Sequence, residues 1–203
     1  MRASRVASSL LAMLASAAVL SGCASEPPPA EATGSREVVT ASRCLTEHSP
    51  WTLDLDEVFT AWSGAIPADR QVRGGEVTGT ATLSFTAGTA PSWTFTANKV
   101  DYQLFFDDGT TESTSLAREL QGRYTIRDAG GTLELSAVQV VAAATDASTV
   151  TEDGTLTAAV SIAAPSFPWD DAEGASISFT CTEHLLLVRT PEQSPATWSL
   201  YPG

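Results

Sequence analysis

The feature that most constrains this chain is an alternation of apolar and polar residues with a period of two, beginning at Val77 and recurring almost to the C-terminus. Successive side chains of an extended strand point to opposite faces, so this pattern marks strands buried on one side and wet on the other. Val77, Ala81, Leu83 and Phe85 alternate with threonines and Ser84 as far as Gly88. Trp93, Phe95 and Ala97 form the next set, and Val100, Tyr102, Leu104 and Phe106 follow out of phase. A β-bulge near Asn98 and Lys99 restores the phase.

Further strand patterns fall at 122–127, 132–141, 156–162, 175–181, 185–189 and 197–201, with 116–120 a weaker one. Asp107-Asp108-Gly109, Gly130-Gly131, Asp153-Gly154 and Glu173-Gly174 punctuate them at hairpin-like spacing. The expected fold is mainly β, an antiparallel meander of about eight or nine strands closing into a barrel or a sandwich. Ahead of it, Leu55, Val58, Phe59 and Trp62 have the spacing of one short N-terminal helix, ended by Gly64 and Pro67. Pro165, Pro168 and the acids at 170–173 read as a longer loop between late strands.

The N-terminus fixes an address. Arg2 and Arg5 precede an apolar stretch from Val6 to Leu20, which closes on Leu20-Ser21-Gly22-Cys23. A basic start, a short apolar run and small residues at the cut make a secretory signal, and the run is too short for a membrane span. The four residues read as a lipobox, similar to that of bacterial lipoproteins cut by the dedicated signal peptidase. Residues 1–22 are then a lipoprotein signal peptide, and Cys23 becomes a diacylglyceryl-cysteine carrying palmitate-type chains, enough for stable anchoring. The expected location is the extracytoplasmic face of the cell membrane. Residues 23–43, with Pro27-Pro28-Pro29 and then Ala, Glu, Thr, Gly and Ser, form a tether. Residues 44–203 form a single β domain, expected to be a monomer.

Removing the signal takes Arg2 and Arg5 and no acid, so 24 acids face nine of the 11 lysines and arginines. That balance excludes nucleic acid as a partner, because phosphates require a basic footprint.

With Cys23 lipidated, Cys44 and Cys181 remain as a pair outside the cell, where such a pair reads as a disulfide. Cys44-Leu45-Thr46-Glu47-His48 and Cys181-Thr182-Glu183-His184 are near-copies and contain both histidines, which raises a two-Cys, two-His zinc site. The unequal spacings, and the opposite faces of a strand on which Cys181 and His184 would lie, favour the disulfide.

The order of these features carries a resemblance. Cys44, then Trp51 opening a short helix, then Thr-rich strands, Gly122-x-Tyr124-x-Ile126, Cys181, Leu185–Val188 and Trp198 look like uncharacterised lipocalin-like lipoproteins of actinobacteria, over roughly residues 44–200. Glu183-His184 departs from it, standing where a Gly-Asp turn is expected. The resemblance implies a lipocalin-like barrel whose mouth holds a small apolar ligand.

Catalytic chemistry finds no foothold. There is no Gly-x-Ser-x-Gly elbow, and both histidines sit beside the cysteine pair. Asp54, Asp56 and Glu57 suit a helix start, and Asp170, Asp171 and Glu173 sit in the loop, so neither group predicts paired carboxylates across a cleft. Asp107, Asp108 and Glu112 lack the alternating acids of a calcium loop. The expectation is a non-enzymatic protein without cofactor, catalytic residue or resident metal. Two roles follow: a binder of an apolar or amphipathic small molecule, or an envelope protein–protein or cell-wall interaction module with a filled barrel. Small inward residues such as Ala97, Ala137, Ala158 and Ala163 would leave a cavity; aromatic side chains meeting inside would close it. Trp62, Trp93 and Trp198 read as core, and Trp169, in its loop, as an exposed contact residue.

Overall fold

The computed structural model describes residues 40–127, 131–157, 167, 169–170, 173–190 and 197–203. Eight strands close an antiparallel barrel. Around it run β1 (Trp51–Leu53), β2 (Val72–Thr86), β3 (Ser92–Phe106), β4 (Thr111–Arg127), β5 (Thr132–Val150), β7 (Ser176–Cys181), β8 (Leu186–Arg189) and β9 (Thr197–Pro202), which returns to β1. A two-residue β6 (Leu156–Thr157) pairs only with the far end of β5. Residues 158–162 of the expected strand lie outside the described residues, as do Ala158 and Ala163.

The alternation is realised as expected in β2 and β3, where Ala81, Leu83 and Phe85 pair with Ala97, Phe95 and Trp93, all buried. The phase break is a bulge at Lys99, whose φ is 49°. Gly79 lies against it with φ 107°, and a Cβ there would stand 2.4 Å from the Lys99 carbonyl oxygen. Both the left-handed backbone and the close approach require glycine. Two segments expected separately, 116–120 and 122–127, belong to the single strand β4. β5 runs past the expected end at Val141 to Val150.

Two helices precede the long strands. Residues 40–47 form α1 and Leu55–Gly64 form α2, with a 3-10 turn at Ala68–Arg70. Asp54 caps α2, its carboxylate accepting the Glu57 N–H at 3.0 Å. Helix α2 covers the inner face of the barrel's extended arm: Phe59 lies over Gly75, and Trp62 packs on Tyr102 with ring centroids 5.5 Å apart. Two expectations change here. Trp51 opens strand β1 rather than a helix, and residues 40–43, expected in the tether, are helical. Tertiary contacts hold this short helix where sequence periodicity gives little signal. Leu45 is fully buried, its carbonyl accepts the Trp51 indole N–H at 2.9 Å, and Cys44 bonds to Cys181.

Candidate functional site

The interior of the barrel, where a lipocalin-like ligand would sit, is occupied by side chains of the protein itself. Trp51, Trp93, Phe95, Tyr124 and Trp198 are buried within it. Phe167 and Trp169, which fall between β6 and β7 in sequence, lie in the same core. Phe167 packs on Phe95 (4.8 Å between centroids) and on Trp198 (6.3 Å), and Trp169 lies 5.8 Å from Phe95. Trp169 is 0% exposed, so the expected contact residue is instead a core residue. Asp170 holds these two aromatic residues at the wall: its carboxylate pairs with Arg118 and accepts the Phe167 N–H at 2.9 Å. Burial, and then the Asp170 carboxylate, push the Tyr102 hydroxyl well above the ordinary phenol range.

The other acids also have structural duties. Glu57 accepts the Ser199 N–H at 3.2 Å, linking α2 to β9. Glu112, mostly buried, pairs with Arg70 at 2.6 Å, and the same guanidinium lies 4.5 Å above the Phe106 ring. Glu173 clamps the β5 backbone, accepting the Ala137 and Val138 N–H groups at 3.3 and 2.7 Å. Asp108 accepts the Thr110 N–H in the β3–β4 turn, which holds its carboxyl below the usual range. Asp153 does the same in the β5–β6 turn, held down first by the Thr151 hydroxyl and then by the Thr155 N–H. Asp171 lies outside the described residues. Among the described residues no three or more His, Cys, Asp or Glu side chains are grouped to hold a metal ion.

The disulfide between Cys44 and Cys181 is formed, with Cα atoms 6.1 Å apart across 137 positions. It occupies both sulfurs that zinc would need. His48 packs edge-on against Trp51, whereas His184 is exposed beside Glu183. Cys23 lies outside the described residues, and no helix among the described residues is long and apolar enough to cross a membrane.

Recesses open on the surface among the described residues. One of about 450 Å3 opens in the wall where β5 bulges away from β4. A shallower one of about 640 Å3 lies between the β3–β4 and β5–β6 turns, and a third of about 260 Å3 lies beside Ala142–Ala144. The alternation signalled none of these, because they arise at bulges and turns where the strand period fails. No protein-family model, curated protein or solved structure matches this chain.

Proposed function

We propose that this chain is a membrane-anchored extracytoplasmic lipoprotein whose barrel is an interaction module of the envelope rather than a container for a small molecule. The observation that carries this reading is the plug: Phe167 and Trp169 occupy the barrel interior against Phe95 and Trp198, where an apolar ligand would have to sit. With the inside filled, recognition falls to the outside. There β5 offers Val140 and Val141, 63% and 50% exposed, beside exposed Ala142, Ala143 and Ala144. Exposed strand of this apolar character is uncommon on a monomer without a partner. The anchor rests on Leu20-Ser21-Gly22-Cys23. A tether reaching α1 would enter at the end of the barrel where Cys44 meets Cys181, leaving the β3–β4 and β5–β6 turns at the opposite end.

Two measurements test the two parts. Cys23→Ser should move the protein from the membrane fraction to the soluble one; unchanged fractionation overturns the anchor. Native mass spectrometry with solvent extraction, on gently solubilised protein, should return the mature chain with no apolar small molecule. A stoichiometric lipid recovered repeatedly would restore the ligand-binding reading, with the plug displaced.

A further inference from the structure

The 450 Å3 recess in the barrel wall combines three anomalies that packing alone does not explain. The first is backbone strain. Ala137 has φ 52°, a left-handed conformation that alanine rarely adopts. Such strain persists only where the surroundings impose it, and it gathers at functional sites. Here the Glu173 carboxylate imposes it, gripping the amides of Ala137 and Val138 so that β5 stands away from β4. The β4–β5 register slips between Gln121 and Arg123, leaving Gly122 without a partner across the seam.

The second anomaly is Gly122 itself. Its position faces inward with Leu120 and Tyr124, and a Cβ there would lie 2.8 Å from the Trp93 Nε1 and 2.9 Å from the Ser136 carbonyl oxygen. Any side chain would collide with both, so the position requires glycine. The third is Trp93, 1% exposed, whose indole N–H lies beside Gly122 with no acceptor among the described residues. A buried donor left unpaired costs about 1–3 kcal/mol, so native structures rarely keep one idle.

The rim supplies the rest of the chemistry. Ser92 and Thr94 contribute hydroxyls, and the Gln121 amide N–H donates to the Gln139 Oε1 at 3.1 Å. The Arg123 Nη1 is bonded to the Ala90 carbonyl at 2.6 Å, and a guanidinium has further donors to offer. In a chain of 24 acids, the lining of this recess contains one cation and no acid. Donors gather in this lining, and among the described residues that form it none is an acid to pair with Arg123.

We propose that this recess binds a carboxylate, one oxygen on the Arg123 guanidinium and the other on the side of the recess lined by Gly122 and Trp93. A free small acid and the C-terminus of a peptide share that chemistry, and a volume of this size admits either. The inference stands independently of the anchor and of the filled-barrel reading, since the recess lies in the wall and not in the interior.

The test is a titration of the isotope-labelled mature chain in non-ionic detergent, followed by NMR at the Trp93 indole and the Gln121 and Gln139 side-chain amides. The probes are N-acetyl-alanyl-alanine, its C-terminal amide and N-acetylalanine. Saturable shifts at those three groups are expected for both acids, with the amide weakened about tenfold by loss of a charge-assisted pair. Tighter binding of the dipeptide acid than of N-acetylalanine identifies a peptide terminus as the source, and equal binding identifies a small acid. Arg123→Gln should weaken both acids to the level of the amide, while Arg123→Lys should restore part of the binding. Absence of saturable shifts, equal binding of acid and amide, or undiminished binding by Arg123→Gln would each overturn the proposal.

Discussion

Strand β5 passes through two environments, and the contrast between them divides the molecule. Over its first residues Leu133 and Leu135 are buried and alternate with Thr132 and Glu134, and the strand is paired on both sides, with β4 and with β7. From Gln139 to Asp146 every residue is exposed, and among the described residues the only pairing is with β4. The same strand thus serves first as barrel wall and then as a projecting ribbon. What differs is what faces it: an aromatic core including Trp169 and Phe179 in the first part, solvent in the second. Burial therefore follows neighbours rather than strand character.

The sharpest way to break this contrast is to remove a side chain from each environment. Trp169→Ala should cost about 3–5 kcal/mol, the usual penalty for emptying a large aromatic site in a core. Val140→Thr on the ribbon should stay within about 0.5 kcal/mol. Urea midpoints measure both; equal losses would show that the ribbon is buried in solution or that the plug is loosely packed. Next in size is the pair Cys44→Ser and Cys181→Ser. Opening so long a loop should cost about 2–4 kcal/mol. Amide exchange should quicken in α1 and at the ends of β1 and β7, leaving the ribbon unchanged. Faster exchange at 139–146 would mean that the ribbon depends on the barrel's far end.

This division was partly legible in the sequence. Alternation is a consequence of one buried face, so β2, β3 and the first part of β5 could be read directly, down to the bulge at Lys99. The segment Val138-Gln139-Val140-Val141-Ala142-Ala143-Ala144 breaks the period. That failure marks where the strand loses its core, while pairing with β4 carries the strand itself on to Val150. Trp169 gives no sequence signal of burial, because a loop flanked by proline and acids ordinarily stays wet. Its burial depends on Arg118, distant in sequence, meeting Asp170 beside Tyr102. The wall recess was illegible for a related reason: Gly122, Ala137 and Glu173 acquire meaning only once β5 has bulged.

Glu173 separates the two environments physically, so it offers a gentler test. Glu173→Gln keeps one acceptor and removes the charge, and should cost about 1 kcal/mol. Exchange at Ala137 and Val138 should rise while the amides of β8 and β9 stay protected. Protection lost throughout the barrel would mean that the clamp supports the core as well as the bulge.

The smallest effects come from pH, where the two environments titrate on opposite limbs. Asp108 and Asp153 sit in exposed turns with carboxyls held below the usual range by the N–H and hydroxyl groups of Thr110, Thr151 and Thr155. Their folded values lie below the unfolded one of about 4, so the unfolded chain binds protons first as pH falls. Their contribution is present above about pH 4 and fades below it. The Asp108→Asn and Asp153→Asn double variant should therefore lower stability slightly at neutral pH, converge with the parent at low pH, and so flatten the acid limb. Tyr102 behaves in the opposite sense. Its raised folded value means that the unfolded phenol loses its proton first, so its contribution is full below about pH 10 and fades as pH rises beyond it. Tyr102→Phe should flatten the alkaline limb alone, and it removes a buried hydroxyl that has no hydrogen-bond partner among the described residues. If the turn variants altered the alkaline limb, or Tyr102→Phe the acid one, the projecting arm and the plugged core would be one electrostatic unit rather than two.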